Sequence, residues 1–209
     1  MASTISTRGE AFAEKKPVFF RVLDNLWNPE SNPEGIVNIG LAENALLHRE
    51  LVEFMNSEHR TVPHALTYGD SFSGSKTLRQ ALSRFLNRKF SPQKPLLPSN
   101  LLVTSGTSNA IECCAWSLFN AGDYVLVGRP YWTAFKHLFG TRARVNILEV
   151  SFGQVDPLSL QGIELYEEAY KTAVDEGKRV RAILLCSPNN PLGSSHSDAR
   201  PDGQSLKQE

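Results

Sequence analysis

Short apolar runs alternate with longer amphipathic stretches in the second half of the sequence. The apolar runs predict strands at residues 101–106, 123–130, 144–150 and 180–188. The stretches at 109–122 and 159–178 predict helices, and a glycine ends the first of them. Strands that are apolar throughout and alternate with helices are typical of a parallel sheet covered on both faces. The pattern therefore predicts an α/β fold, with a mostly parallel sheet in the middle of a partial three-layer α/β/α sandwich.

The first half of the sequence has a different pattern. Residues 76–90 place apolar side chains along one stripe and basic side chains largely opposite, which predicts an amphipathic helix. A second helix is predicted at 46–58. Residues 26–44 are rich in Asn, Pro and Gly, which indicates an extended, turn-filled arm.

These patterns predict three segments along the chain. An N-terminal arm and helical segment covers 1–95, and a partial large domain covers 96–193. The polar stretch 194–209 carries too little apolar surface to offset the entropy of ordering. It is therefore predicted to be a disordered tail.

The charge balance narrows the classes of partner. The 22 basic residues equal the 22 acidic ones, so no net field favours nucleic acid or an anionic membrane. No run approaches the roughly 18 apolar residues that a membrane span needs. Residues 1–16 lack the apolar core of a secretory signal. We therefore expect a cytoplasmic protein without a nucleic-acid or membrane partner.

The sequence has three cysteines, Cys113, Cys114 and Cys186. The first two are adjacent, which ordinary zinc sites do not use, so no metal site is predicted. Reduced, buried thiols are the simplest interpretation of all three.

Polar and aromatic residues follow three of the predicted strands, at the edge where open α/β sheets bind ligands. Residues 105–109 open a helix whose backbone N–H groups suit a phosphate, although an ordinary N-cap fits them equally. Residues 129–132 offer an aromatic that stacks on a planar ring or packs in the core. Residues 189–193 offer an Asn amide, or only an exit turn. Together they indicate a pocket for a flat, phosphorylated, heteroaromatic cofactor, and pyridoxal 5'-phosphate (PLP) is the natural candidate.

Four stretches, in this order, resemble the fold-type-I PLP-dependent aminotransferases of classes I and II: NPEGIVNIGLAEN, LLVTSGTSNAIE, GDYVLVGRPYWTAF and ILLCSPNNPLG. Within that family they are most similar to the 1-aminocyclopropane-1-carboxylate (ACC) synthase-like branch. The resemblance covers roughly residues 20–193. It implies the large domain of a PLP-dependent transferase, pyridoxal 5'-phosphate as cofactor, an amino-acid substrate and a homodimer.

The resemblance implies roles for four cofactor-binding residues. Thr107 and Ser108 would give backbone N–H groups to the cofactor phosphate. Trp132 lies where the family stacks an aromatic on the pyridine ring. Asn190 lies where an Asn forms a hydrogen bond to the phenolic oxygen of the cofactor.

The resemblance also assigns substrate-side positions and shows departures. Gly40 lies in the arm that approaches the substrate carboxylate, and Glu43 matches a glutamate near the substrate of ACC synthases. Asn109 stands where many relatives have Gly, which a backbone cradle tolerates. Phe72 stands where ACC synthases carry a Tyr that reaches the partner subunit's cofactor, and Tyr68 is a candidate substitute for it.

Several residues that the resemblance implies have no match in this sequence. In that family, four further residues lie well beyond the Asn-Pro-Leu-Gly turn: the Schiff-base lysine, an Asp opposite the pyridine nitrogen and two arginines. In this sequence only 16 residues follow Gly193. No catalytic residue is therefore assigned. Lys207, in SLKQE, has a superficially similar setting, but a solvated tail lysine is the preferred interpretation. We expect a chain truncated before that lysine, without the C-terminal part of the fold and inactive by itself.

Three functional hypotheses remain open. The first is an aminotransferase acting on amino acids, and the second is an ACC synthase-like lyase acting on S-adenosylmethionine. Glu43 favours the lyase and Phe72 disfavours it. The third is a non-catalytic truncated paralogue that binds a full-length subunit. A nucleotide-binding domain is disfavoured because the sequence lacks the glycine fingerprint.

Overall fold

The structure, a computed structural model, describes residues 4–14, 18–58, 61–157 and 159–194. Most of the predicted tail, including Lys207, lies outside the described residues. The chain divides into two units between Ala65 and Leu66. That division lies before the domain boundary expected at residue 95, which stays a prediction. Among the described residues, no helix is long and apolar enough to span a lipid bilayer.

The first unit combines short helices with a long turn-rich segment. Its described helices are α1 (Thr7–Glu14), α2 (Val18–Leu23) and α3 (His48–Glu58). After α2 the backbone turns repeatedly, and Asn side chains bond to backbone groups. Asn32 Nδ2 donates to the Leu26 carbonyl at 2.9 Å, and Asn28 Oδ1 accepts from the Glu30 N–H at 2.9 Å. The turns predicted for residues 26–44 are thus present, while the assignment of this segment as an arm stays a prediction.

The second unit contains the sheet. Its helices are α4 (Lys76–Phe90), α5 (Gly106–Leu118), α6 (Ala134–Gly140) and α7 (Leu160–Asp175), and its strands are β1 (Tyr124–Gly128), β2 (Asn146–Val150) and β3 (Val180–Leu184). The strand order is β2-β1-β3, and both pairs are parallel. Serine N-caps begin two of the helices: Ser75 Oγ accepts from the Leu78 N–H, and Ser159 Oγ from the Gly162 N–H.

Both faces of the central strand β1 are buried. Val125 and Val127 face one side and lie in a cluster with side chains of α5 and α6. Leu126 faces the other side, in a second cluster that side chains of α7 cover. All three residues are at most 2% exposed, which explains why the strand is apolar at consecutive positions. The predicted α/β/α layering is therefore confirmed.

The apolar run at 101–106 does not form the predicted strand. The segment Leu101–Thr104 has no regular structure, and Leu102 is largely exposed. The Val103 N–H donates to the Ser73 carbonyl at 3.0 Å, in the loop before α4. A strand needs a neighbouring strand to pair with its N–H and C=O groups. In the described chain, Leu101–Thr104 pair with none of the three strands, so these groups have no ladder partner.

Other elements differ at their ends. Helix α5 begins at Gly106, three residues before the predicted start, and ends at Leu118. The predicted strand at 180–188 ends at Leu184. Helix α6 was not predicted from the sequence.

Cys113 and Cys114 are exposed, so the prediction that they are buried is wrong. Helix α5 packs towards the sheet with Ala115, which is fully buried, and with Ile111. Successive residues of a helix point about 100° apart, so Cys114 and Cys113 lie about 100° and 200° around the helix from Ala115. Cys186, which follows β3, is half-buried.

One edge of the sheet carries exposed apolar side chains. In the described chain β3 pairs only with β1, and Ile183 and Leu185 are 51% and 62% exposed. A groove of about 500 Å³ runs beside the strand, lined by Ile183 together with Ile163 and Tyr170 of α7. We name Ile163, Tyr170, Ile183 and Leu185 the β3 edge patch.

Candidate cofactor site

The first turn of α5 presents backbone N–H groups that the helix itself leaves free. The first N–H groups of any α-helix lack an intrahelical acceptor, and Thr107 and Ser108 occupy such positions. In the described structure the side chain of Ser105, at the N-cap, makes no capping hydrogen bond. Asn109 Oδ1 instead accepts from the Ser105 N–H at 3.4 Å, so Asn109 folds back on its own loop. Thr107 and Ser108 are both exposed and open to an anion.

The structure separates the aromatic residues that follow β1. The ring of Tyr131 stacks on that of the buried Phe135, with centroids 6.4 Å apart at 21°. The indole of Trp132 meets Phe135 edge-on, with centroids 5.5 Å apart at 84°. Trp132 is 37% exposed, whereas Tyr131 is the less exposed of the two. The residue predicted to stack on the cofactor is therefore the aromatic that remains accessible.

One carboxylate contacts three side chains of the segment 129–136. Glu149 Oε1 accepts from the Tyr131 hydroxyl at 2.6 Å and from Lys136 Nζ at 2.8 Å. Glu149 Oε2 lies 3.3 Å from Arg129 Nη1. The hydrogen bond from Lys136, followed by that from Tyr131, lowers the pKa of Glu149. Glu149 was not predicted as a site residue. The available signal was a single charge within the apolar run VNILEV.

The same contacts shift the pKa values of the partners. Burial, followed by the hydrogen bond to Glu149, raises the pKa of Tyr131. The hydrogen bond to Glu149 also raises the pKa of Lys136. At neutral pH the carboxylate is thus ionised, the ammonium is charged and the phenol is neutral.

The two asparagines after β3 have different surroundings. Asn189 is half-buried; its Oδ1 accepts from the Leu192 N–H at 3.1 Å, and its Nδ2 lies 3.5 Å from the Pro130 carbonyl. Asn190 is exposed, and within the described residues its side chain makes no hydrogen bond. Asn189 therefore holds the turn and joins it to the loop after β1. The amide of Asn190 stays free to bind a ligand.

A small cavity of about 90 Å³ lies between the loops that follow β1 and β3. Its walls include Arg129, Tyr131, Asn189 and, from α7, Tyr166. Burial raises the pKa of Tyr166. Tyr131 and Asn189, the sequence neighbours of Trp132 and Asn190, line this cavity. Trp132 and Asn190 themselves are not among its lining residues.

The substrate-side residues belong to the first unit. The Gly40 N–H donates to Asn38 Oδ1 at 3.0 Å, and the Glu43 N–H donates to the Leu41 carbonyl at 3.0 Å. The other predicted site residues belong to the second unit. Within the ranges that the structure describes, no group of His, Cys, Asp and Glu side chains could hold a metal ion.

The predicted cofactor residues are partly brought together. The loops that carry Trp132 and Asn190 are joined through Asn189 and Pro130. Helix α5, which carries Thr107 and Ser108 in its first turn, packs into the same hydrophobic cluster as α6 and the loop after β1.

The described chain combines a parallel α/β sheet, an open helix start at α5, and an accessible indole and a free amide that follow β1 and β3. These groups are of the kinds that suit a phosphorylated aromatic cofactor. Comparison with known sequences narrows the class of protein. Residues 37–199 match the model of the family described as aminotransferase class I and II, and the chain belongs to that family. The family uses pyridoxal 5'-phosphate.

Curated relatives include both aminotransferases and ACC synthases. The probable aminotransferase sirI of Leptosphaeria maculans is 28% identical over 180 residues, which are 85% of this chain and 43% of that protein. The 1-aminocyclopropane-1-carboxylate synthase 3 of Oryza sativa subsp. japonica is 32% identical over 206 residues, or 92% of this chain and 44% of that protein. The chain thus spans less than half the length of these relatives.

Solved structures share the fold. An amino transferase from Eubacterium rectale has a TM-score of 0.64 at 16% identity, covering 94% of this chain and 48% of that one. A single mutant of Thermus thermophilus aspartate aminotransferase has a TM-score of 0.63 at 22% identity, covering 92% and 47%. These likenesses support the fold assignment, namely part of the α/β domain of a fold-type-I enzyme.

Proposed function

We propose that this chain binds pyridoxal 5'-phosphate beside the carboxyl ends of its strands and contributes that site to an aminotransferase acting on amino acids. The observation that carries the proposal is a set of free groups: the N–H groups at the start of α5, and the indole of Trp132 and the amide of Asn190, which follow β1 and β3. A phosphorylated pyridine needs an anion site, a flat apolar surface and a polar partner. The groups present therefore fit this cofactor.

Each residue has a separate role in this proposal. The N–H groups of Thr107 and Ser108 hold the phosphate, because the start of a helix favours an anion. Trp132 covers one face of the pyridine ring and excludes water from it. The Asn190 amide donates to the phenolic oxygen. When bound, the cofactor acts as an electron sink for the Cα of an amino acid.

We further propose that the whole enzyme is a longer, cytoplasmic homodimer, and that this chain is its N-terminal, cofactor-facing part. The 43–44% coverage of the two curated relatives supports this proposal. The Schiff-base lysine then comes from sequence beyond this chain, and this chain alone binds the cofactor non-covalently. Mass spectrometry of the native protein tests the proposal. A species much larger than 23.2 kDa that contains these peptides supports it, and a 23.2 kDa species alone contradicts it.

A second candidate is lyase chemistry on S-adenosylmethionine. The ACC synthase relative and Glu43 favour it, whereas the fully exposed Phe72 lacks the hydroxyl of the matching tyrosine. Gly40 and Glu43 are proposed to face the substrate in either case. Assays of the complete protein with S-adenosylmethionine and with amino-acid and keto-acid pairs distinguish the two. Release of methylthioadenosine identifies the lyase, and amino-group exchange identifies the transaminase.

The cofactor site is tested with pyridoxamine 5'-phosphate, which has no aldehyde to react with surface lysines. Thr107→Pro removes one N–H in the first helical turn, where proline is tolerated. We expect it to weaken binding roughly tenfold or more, because hydrogen bonds to charged groups contribute about 1.5–3 kcal/mol. Thr107→Ala is the matched control, since it removes the hydroxyl and keeps the N–H. Fluorescence titration measures both affinities.

Unphosphorylated pyridoxamine completes the test. It should bind the wild type and Thr107→Pro equally, because the lost donor faces the phosphate. An equal loss of affinity for both ligands would contradict the assignment of the Thr107 N–H to the phosphate. Failure of the wild type to bind pyridoxamine 5'-phosphate would overturn the proposed function and favour a non-catalytic paralogue.

A further inference from the structure

The contacts of Glu149 all reach one short segment of chain. The carboxylate belongs to β2, whereas its partners Arg129, Tyr131 and Lys136 lie in the loop after β1 and the first turn of α6. Three donors on one carboxylate fix both the beginning and the end of that segment. The loop is therefore held from the neighbouring strand.

Trp132 lies inside the held segment. The Arg129 N–H also donates to the Val150 carbonyl at 2.9 Å, so the backbone is fixed where the loop leaves β1. The Phe135 N–H donates to the Trp132 carbonyl at 3.1 Å, and the two rings meet edge-on. The direction of the indole thus follows from the conformation of 129–136, which depends on Glu149.

The exposure of these side chains indicates that their contacts determine the conformation of the loop more than the stability of the protein. The side chains of Arg129 and Lys136 are more than half exposed, and ion pairs at such positions contribute little because solvent screens them. The Tyr131 hydroxyl is different, since it donates a charge-assisted hydrogen bond from a partly buried position. The Glu149 carboxylate therefore favours one conformation of the loop, while it changes the free energy of unfolding of the protein only slightly.

We propose that Glu149 is a positioning residue, which holds Arg129, Tyr131 and Lys136 so that Trp132 presents its ring to the cofactor. The cofactor role of Trp132 rests on the function proposed above, whereas the effect of Glu149 on the loop does not. Glu149 itself touches no reacting atom in this proposal.

Binding of pyridoxamine 5'-phosphate gives the first measurement. Loss of a negative charge by itself would tighten the binding of an anion, so weaker binding has to come from the loop. We expect Glu149→Ala to weaken binding several-fold and Glu149→Gln, which keeps an acceptor for Tyr131, to weaken it less. In a Trp132→Ala background the effect of Glu149→Ala should disappear, because Glu149 acts on the cofactor through the position of Trp132. Glu112→Gln, which alters the ion pair between Glu112 of α5 and Arg142, is the matched control and should bind like the wild type.

Two further measurements do not need the cofactor. Hydrogen–deuterium exchange at the amides of 131–136 should be several-fold faster in Glu149→Ala than in the wild type or in Glu112→Gln. The phenolate absorbance of Tyr131, assigned with Tyr131→Phe, should appear at lower pH in Glu149→Gln, because the carboxylate that disfavours the phenolate is neutral there. A general loss of packing would not produce that spectroscopic change in a folded Gln variant.

The outcomes separate the two proposals. Wild-type exchange and wild-type Tyr131 titration in both Glu149 variants would overturn the positioning role. If the wild type does not bind pyridoxamine 5'-phosphate, the proposed function fails. Faster exchange and an earlier Tyr131 titration would then still establish that Glu149 holds the loop.

Discussion

Glu149 has a protonation state that depends on its folded surroundings. Lys136 and then Tyr131 lower its pKa from the ordinary value of 4.5. Because the folded-state pKa lies below that of the unfolded chain, the contribution of Glu149 to stability is fully present above pH 4.5. It is lost as the pH falls through the lowered pKa.

This pH dependence gives a prediction for Glu149→Gln. At pH 7 the variant should be less stable than the wild type by no more than about 1 kcal/mol, since the partners are largely exposed. The difference should shrink as the pH falls below that of ordinary glutamate titration. Urea unfolding of both proteins from pH 7 to pH 3 measures it. A difference that is the same at every pH would contradict the assignment.

Gly128 ends β1 at a point where a side chain has no room. A Cβ there would lie 2.6 Å from the Tyr166 hydroxyl oxygen and 2.7 Å from Cε2 of the buried Phe152. Gly128→Ala should therefore destabilise the protein by about 1–3 kcal/mol, as overpacking does. Denaturant unfolding measures the loss. Gly140→Ala is the control, because its nearest atom would be the Val145 carbonyl oxygen at 3.8 Å, and it should be neutral or slightly stabilising.

Among the elements, α4 is fastened to the segment after it by side-chain hydrogen bonds. Asn87 Nδ2 donates to the Leu96 carbonyl at 2.9 Å, and the Leu96 N–H donates to Asn87 Oδ1 at 2.7 Å. The buried Ser83 hydroxyl donates to the same carbonyl at 2.6 Å. These bonds set the path of the chain towards α5.

Asn87→Ala should loosen that connection. It leaves a partly buried N–H without its acceptor, for which we expect a loss of about 1–3 kcal/mol in the free energy of unfolding. The exposed neighbour Arg84→Ala should change stability by less than about 0.5 kcal/mol. Denaturant titrations compare the two. Equal effects would show that the hydrogen bonds of Asn87 do not matter.

The elements also show what the sequence can reveal. The bounds of α4 were predicted from its apolar stripe, because that signal is local. The failed strand at 101–106 has the right composition, but pairing depends on neighbours that a local pattern does not contain. Helix α6 has only seven residues and no side-chain cap among its described contacts, so its periodicity is weak.

The residues of the candidate site also divide into those that a local sequence pattern reveals and those that depend on distant neighbours. Thr107, Ser108, Trp132 and Asn190 could be proposed from motifs that lie directly after apolar runs. The role of Glu149 could not, because its partners come from another element. Only the register of β2 beside β1 brings them within reach.

At the scale of the whole molecule, the β3 edge patch is the described feature that most favours association with another chain. An unpaired strand edge beside exposed apolar side chains favours association with another chain. The charge of the molecule does not oppose this, since its net charge is zero.

We therefore expect concentration-dependent self-association, which Ile183→Lys should reduce. A charge on an exposed edge position blocks edge-to-edge pairing and costs little folding free energy. Sedimentation velocity over a range of protein concentrations measures the effect. Leu192→Lys, a change at a similarly exposed apolar residue away from the patch, is the control. If both variants associate as the wild type does, the patch is not the cause.

The central position of β1 also bears on the order of folding. Tyr124 pairs with Asn146 of β2 after a separation of 22 residues, and with Val180 of β3 after 56. Closing the longer loop costs about 0.8 kcal/mol more entropy, since each doubling of length adds about 0.6 kcal/mol. The β1–β2 pair with α6 should therefore form first, and α7 with β3 should join it later. Synthesis on the ribosome favours the same order, because Glu149 and its three partners are all made before β3.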